Sequence, residues 1–287
     1  MELAWESTRD VEWLSVSAPE AATLCSLPLV PAHVTMPDTP SARRFAFLTA
    51  EWRWLAMLNY SIDPAILEPY VPQGTLLDSW NGETMISVVG FRFLRTRLLG
   101  VPLPLHRDFD EVNLRFYVRV NENGETRRGV VFIREIVPRR AIALVARFAY
   151  NEPYIALPMR SVTPQCSVSH IGGEPGQIEY SWMNARRWNR LTLIATGAPA
   201  LPEPGSQEDF ITEHYWGYTR QRDGGTVEYQ VDHPRWRVWQ AEQGRLECDA
   251  AELYGDRFVD VLYAQPRSAF LAEGSAITVY GPRRLRS

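Results

Sequence analysis

The chain has 287 residues, of which 45% are hydrophobic and 22% charged, an ordinary composition for a globular protein that buries a sizeable core. Its 30 basic and 34 acidic residues give a formal charge of −4, so no basic field favours nucleic acid, and we expect no such partner. No apolar stretch is long enough to span a membrane, and the acidic first residues do not form a secretory signal.

The three cysteines are far apart, which argues against a disulfide framework and for a reducing compartment. We therefore expect a cytoplasmic protein without a membrane partner. Whether the chain forms a homo-oligomer stays open. All 30 basic residues are arginine, so the chain contains no lysine. Arginine can hold anions but cannot act as an amine nucleophile, because its guanidinium stays protonated.

The predicted elements are mostly strands. Residues 1–44 contain several prolines and no periodicity, which predicts an irregular extension, and residues 45–287 read as a single domain. In chain order, strands are predicted from Trp52 to Tyr60, Thr84 to Phe93, Glu111 to Val120, Val130 to Val137, Val227 to Val231, Trp236 to Trp239 and Ala276 to Tyr280, and helices at Pro64 to Leu67, Arg139 to Tyr150 and Ser206 to Tyr215. Many strands and few helices predict a mainly β fold, a closed or partly closed barrel with a few short helices.

The most informative predicted strand runs from Glu111 to Val120. Alternation puts Glu111, Asn113 and Arg115 on one face and apolar residues on the other. One interpretation is a solvent-exposed polar face. The other is a polar patch that lines an internal cavity and binds a ligand. The sequence alone does not separate the two.

Common catalytic motifs are missing. The five histidines lack metal-ligand spacing, which favours surface or satisfied core roles for them, and we expect no metal. There is also no nucleophile elbow, no P-loop and no dinucleotide fingerprint. We therefore expect no cofactor.

An ordered series of residues carries a family resemblance. The stretch Arg53 to Tyr60, then Asp63-Pro64 and Val71-Pro72, resembles the first strand and helix of the acetoacetate decarboxylase family. The chain is more closely similar to the uncharacterised YqjF-like family of the same superfamily. The residues typical of that family are Asn113-x-Arg115-x-Tyr117, Gly129-Val130-Val131-Phe132 and Ala146-Arg147 leading to Pro153-Tyr154.

The resemblance implies an acetoacetate decarboxylase-like, cone-shaped β-barrel with an internal cavity. By position, Arg53 and Glu111 correspond to an arginine and a glutamate that face the cavity in that family. The family's catalytic lysine follows a proline, and here Tyr154 follows Pro153. A phenol cannot form the imine that accepts the electrons in that decarboxylation. If the chain is an enzyme, it is therefore not a lysine Schiff-base decarboxylase.

Three functions remain open. In the first, Arg53 or Arg115 holds a small anionic, oxo-acid-like molecule beside Asn113, Glu111 moves a proton and Tyr154 donates to a carbonyl oxygen, as in a lyase, hydratase or isomerase. The second is a binding protein that captures the same anion without turnover. The third is a structural protein whose barrel is filled by side chains and has no ligand cavity.

Overall fold

The structure, a computed structural model, describes residues 45–102, 107–122, 124–138, 151–164 and 176–285. The predicted extension 1–44 and the predicted helix 139–150 lie outside this part of the chain. The strands are β1 (Ala46–Ser61), β2 (Leu76–Leu77), β3 (Ser79–Trp80), β4 (Glu83–Leu98), β5 (Val101–Pro102), β6 (Phe109–Glu122), β7 (Glu125–Val137), β8 (Tyr154–Ala156), β9 (Met159–Val162), β10 (Gly176–Asn184), β11 (Arg187–Ala200), β12 (Trp216–Arg220), β13 (Thr226–Asp232), β14 (Val238–Glu247), β15 (Ser268–Tyr280) and β16 (Arg283–Arg284).

The helices in the described part of the chain are short. They are α1 (Pro64–Leu67), α2 (Gln207–Thr212), α3 (Ala250–Tyr254) and α4 (Val259–Tyr263), with single 3-10 turns at Glu68–Tyr70 and Asp256–Phe258. The side chains of Asp63 and Ser206 cap α1 and α2, since they accept hydrogen bonds from Ala65 N and Asp209 N respectively. The mainly β class is therefore confirmed. No helix among these residues is both long and apolar enough to cross a membrane.

The hydrogen-bonded strands close into a ring. Antiparallel pairing joins β15 to β1, β1 to β4, β4 to β6 and β6 to β7. A short parallel pairing joins β7 to β12, which pairs with β13, and β13 returns to β15. The strands β14, β11, β10 and β9 continue the sheet from β15 away from this ring.

Both faces of β6 are buried. Val112, Leu114 and Phe116 belong to one apolar cluster, which also receives side chains of the 250–262 helical segment. Phe109 and Tyr117, on the opposite face, belong to a second apolar cluster. In a strand that is covered on both sides, the polar residues do not reach solvent. The polar residues of β6 therefore need hydrogen-bond partners inside the protein.

A β-bulge interrupts β1. Trp54 has a positive φ of 58°, and the pairing with β4 shifts register between Arg53 and Ala56. The bulge reverses the alternation of side chains along the strand. As a result, Trp52 before the bulge and Leu55 after it point to the same interior cavity.

Candidate active site

The strand ring surrounds a cavity of about 210 Å³. This is smaller than the roughly 300–1,000 Å³ of pockets that hold drug-sized ligands, so it suits a small molecule. Its polar lining residues are Thr96, Glu111, Asn113, Arg115, Glu135, Glu152, Tyr154, His214 and Tyr229. The structural alternative required an interior filled by side chains, whereas this interior contains a cavity.

The polar face of β6 lines this cavity. Glu111 and Asn113 are each 2% exposed and Arg115 is 9% exposed. Of the two interpretations of the strand, the structure shows the cavity-lining one and not the solvent-exposed one. Three of the five predicted site residues therefore meet on one strand face.

Tyr154 joins them from β8. Its hydroxyl donates to Glu111 Oε2 at 3.1 Å, and Asn113 Nδ2 donates to Glu111 Oε1 at 3.1 Å. The parallel pairing of β8 with β7 sets Tyr154 beside Glu135, which lies opposite Asn113 across β6 and β7. Both oxygens of Glu111 thus have a donor, and the predicted acid–base pair is in direct contact.

Two further carboxyls, Glu135 and Glu152, lie in the site, and neither was predicted from the sequence. Glu152 Oε1 accepts from Thr219 Oγ1 at 2.5 Å and from the Tyr229 hydroxyl at 3.0 Å. Glu135 Oε2 has no hydrogen-bond partner among the described residues. Both side chains are buried and line the cavity beside Glu111.

Burial shifts the pKa of each group toward its neutral form. It raises the Glu111 pKa from 4.5 to about 7, although donors from Asn113 and Tyr154 and the Arg115 charge act against it. Burial raises the pKa of Glu152 to about 8, again against its two donors. The pKa of Glu135 rises well above 4.5, through burial first and then repulsion by Glu152 and Glu111. Burial and the nearby carboxyls also hold the pKa of Tyr154 well above 10.

Arg115 supplies the positive charge. Within the described residues it forms no ion pair at contact distance, its Nε has no hydrogen-bond partner, and its Nη2 donates only a long 3.4 Å bond to the Ile211 carbonyl. A buried guanidinium is costly unless an anion or acceptors compensate it. The geometry therefore leaves this cation available to a ligand.

His214 was expected at the surface or as a satisfied core residue, but it lines the cavity. Neither ring nitrogen has a partner among the described residues. Burial, and next the Arg115 charge, lower its pKa well below 6.5, so the ring is neutral and can donate and accept. Lone histidines carry no sequence signal for such a role.

Arg53 does not line the cavity. Its Nε donates to Glu51 at 3.2 Å, and its Nη1 donates to the Gly274 carbonyl at 3.1 Å. The bulge at Trp54 explains this position, because a regular strand would put Arg53 on the same face as Leu55. The structure thus separates Arg53 from the other four predicted residues.

The described residues contain no group of three or more His, Cys, Asp or Glu side chains arranged to hold a metal ion. The buried carboxyls, tyrosine and arginine are instead the kinds of groups that bind anions and transfer protons. The protein is thus a ring of strands around a cavity lined by carboxyl, phenol and guanidinium groups, and its chain contains no lysine.

Residues 49–276 match the DUF2071 family, described as an uncharacterized conserved protein, and the chain belongs to this family. It is 28% identical over 193 residues to the uncharacterized protein YqjF of Bacillus subtilis (strain 168), which covers 67% of this chain and 74% of that protein. The similarity to the YqjF-like family is confirmed.

Solved structures with the same fold include acetoacetate decarboxylase-like proteins. An acetoacetate decarboxylase-like enzyme from Sphingomonas wittichii RW1 matches with a TM-score of 0.59 and 17% identity, over 84% of this chain and 94% of that one. The acetoacetate decarboxylase of Legionella pneumophila gives 0.58 and 13%, over 88% and 93%. The enduracididine biosynthesis enzyme MppR, complexed with pyruvate, gives 0.59 and 14%, over 91% and 97%. These likenesses establish the fold.

Proposed function

We propose that the chain binds a small anionic, oxo-acid-like molecule in this cavity and acts on it by acid–base catalysis, as a lyase, hydratase or isomerase that forms no Schiff base. The observation that carries the proposal is the Tyr154–Glu111 hydrogen bond in a cavity that also holds the Arg115 guanidinium without a contacting carboxylate. A relative of the same fold, MppR, has been solved with pyruvate, which makes an oxo acid a reasonable probe.

Each group has a role that its environment supports. Arg115 binds the ligand's carboxylate through charge-assisted hydrogen bonds. Glu111 has a pKa of about 7, so it is present in both protonation states at neutral pH and can take or return a proton. Tyr154 keeps its proton, since its pKa lies well above 10, and donates to the oxygen that gains negative charge.

Deuterium exchange tests the chemical step. The methyl protons of pyruvate or the C3 protons of 2-oxobutanoate should exchange with D₂O faster in the presence of the protein. The exchange is measured as the loss of their proton NMR signals. Because a positioned acid or base contributes about 10²–10⁴-fold, Glu111→Gln and Tyr154→Phe should each slow this exchange about a hundredfold or more. The exposed Glu242→Gln and Tyr263→Phe variants are matched controls and should exchange like the wild type.

A non-catalytic binding protein is the second candidate. It is favoured by the two donors on Glu111, which occupy both of its carboxylate oxygens. Saturable binding of oxo acids by calorimetry without any exchange would favour this candidate over the enzyme. Absence of both binding and exchange for every oxo acid tried would overturn the proposal.

A further inference from the structure

The cavity changes in character along β6. Phe109, Glu111, Asn113 and Arg115 occupy alternate positions on one face of the strand, and all four line the cavity. At about 3.3 Å per residue, the Cα atoms of Phe109 and Arg115 are roughly 20 Å apart. The Arg115 guanidinium thus lies at one end of this row and the Phe109 ring at the other, with Glu111 between them.

Neighbouring strands extend the aromatic end. Phe93, the partner of Phe109 across β4 and β6, stacks on it with ring centroids 4.5 Å apart. Trp52, the partner of Phe93 across β1, makes edge contacts to Phe93 at 5.8 Å and to Phe91 at 5.4 Å. All of these rings line the cavity.

The wall stays apolar farther from Arg115. Leu48 and Leu98 are paired across β1 and β4, and both line the cavity on the side of Phe93 that faces away from Glu111. The polar groups Arg115 and His214 lie in the opposite direction, since Tyr117, two positions past Arg115, contacts the His214 ring at 4.7 Å. The lining therefore offers an anion site and a separate apolar site, with Glu111 and Tyr154 between them.

We infer that the ligand is an oxo acid with a bulky apolar substituent, preferably aromatic, and not pyruvate itself. This inference rests on the proposed function and names its substrate class. The carboxylate lies at Arg115, the reacting carbon lies beside Glu111 and Tyr154, and the substituent packs against the cavity-facing surfaces of Trp52, Phe93 and Phe109. Aromatic groups favour such a site because offset and edge-to-face ring contacts add to the burial of apolar area.

Calorimetry with the full chain tests the class, using pyruvate, 2-oxobutanoate, 2-oxohexanoate and 4-phenyl-2-oxobutanoate. Burying two more methylenes should make 2-oxohexanoate bind roughly tenfold more tightly than 2-oxobutanoate. The phenyl compound should bind at least about tenfold more tightly than pyruvate. A fifth probe, 4-phenyl-2-butanone, keeps the ring and ketone but lacks the carboxylate, and it should bind at least about tenfold more weakly than the phenyl acid.

A variant pair assigns the effect to the apolar end. Leu98→Trp fills space at that end and should weaken binding of the phenyl acid at least fivefold, while pyruvate binding stays within about twofold of the wild type. Leu76→Trp is the matched control, because Leu76 is exposed on β2 and does not line the cavity. Thermal unfolding of both variants shows whether they fold like the wild type.

The outcomes separate the two proposals. Equal binding of all four oxo acids would overturn this inference and leave the proposed function standing. A full affinity series that Leu98→Trp does not change would also overturn it, since the substituent would then lie elsewhere. Binding of no oxo acid, or equal binding of the phenyl acid and the phenyl ketone, would contradict the proposed function and this inference with it.

Discussion

Glu135 is a buried carboxyl of the cavity that lies beside Tyr154. It is 2% exposed, its Oε2 has no partner among the described residues, and its pKa is raised by burial and by the charges of Glu152 and Glu111. Three buried carboxyls this close cannot all ionise at neutral pH, so they titrate as a group. The proton content of the site is therefore shared among Glu111, Glu135 and Glu152.

Removing Glu135 should change how stability depends on pH. A carboxyl whose pKa rises on folding stabilises the folded chain fully below its unfolded pKa of about 4.3. This contribution is lost as pH rises through the folded values, about 7 for Glu111 and about 8 for Glu152. Glu135→Gln removes one titrating group and its repulsion, so the variant should lose less stability than the wild type between pH 5.5 and 8.5, by on the order of a few kcal/mol.

Urea unfolding at the two pH values measures this difference. Glu242→Gln is the matched control, because Glu242 is exposed and outside the cavity, and it should follow the wild type. If Glu135→Gln loses as much stability as the wild type over this range, Glu135 does not share protons with the other two carboxyls.

At the scale of single elements, strand alternation predicted the most. It placed Glu111, Asn113 and Arg115 on one face, and burial of both faces of β6 makes that face part of an interior cavity. The family resemblance implied that Arg53 faces the cavity, but with the bulge at Trp54 Arg53 instead bonds Glu51 and the Gly274 carbonyl. Bulges depend on how two strands fit together, so a single strand's sequence does not reveal them.

A second bulge, in the pairing of β6 with β7, explains why the position of Glu135 was not predicted from the sequence. The hairpin between β6 and β7 pairs Glu122 with Glu125, and a regular register from there would set Arg134 opposite Asn113. The register shifts between Leu114 and Arg115, which brings Glu135 to that position instead. A count of paired residues that starts at the hairpin end and assumes a regular register would thus miss the buried carboxyl by one residue.

A glycine lets β12 and β13 approach closely at the site. A Cβ at Gly217 would overlap the ring of Tyr229, whose hydroxyl donates to Glu152. Gly217→Ala should therefore displace Tyr229, remove a donor from Glu152 and cost about 1–3 kcal/mol of unfolding free energy, measured by urea denaturation. Gly225→Ala is the control, because its new Cβ would meet only the side chains of Arg284 and Asp223. Equal stability of the two variants would contradict this close fit.

At the scale of the whole molecule, two of the strand pairings that close the ring are short, and we call these two pairings the seams. The parallel pairing of β7 with β12 joins Trp216 to Gly129 and Gly217 to Val130, and the pairing of β13 with β15 joins Val231 to Val279 and Asp232 to Thr278. The pairings of β4 with β1 and β6 run along most of its length. Local opening should therefore begin at β12 and β13.

Hydrogen exchange followed by mass spectrometry tests this order. Peptides from Trp216–Arg220 and Thr226–Asp232 should exchange at least about tenfold faster than peptides from Glu83–Leu98, because fewer interstrand hydrogen bonds must break to expose them. The β6–β7 hairpin, which is paired at length, serves as the internal reference. Exchange of the β12–β13 segment as slow as that of β4 would show that the seams do not open first.

The whole fold was predicted more fully than its parts. The mainly β class and the family followed from composition, turn signals and the ordered residues between Arg53 and Tyr154, and both are confirmed. The strands β10 and β11 and the helices α3 and α4 were not predicted. The helices α3 and α4 have 5 residues each, which is too short to display a helical period in the sequence.

On the proposed function, the crowding of three carboxyls around one cavity should make ligand binding depend on the acidity of the medium. An anion that entered would add negative charge beside groups with pKa values of about 7 and 8, and this would draw hydrogen ions into the site. Binding and protonation would then be one coupled equilibrium, in which each favours the other. The proposed ligand should therefore bind more tightly as the surroundings turn slightly acidic and more weakly as they turn alkaline.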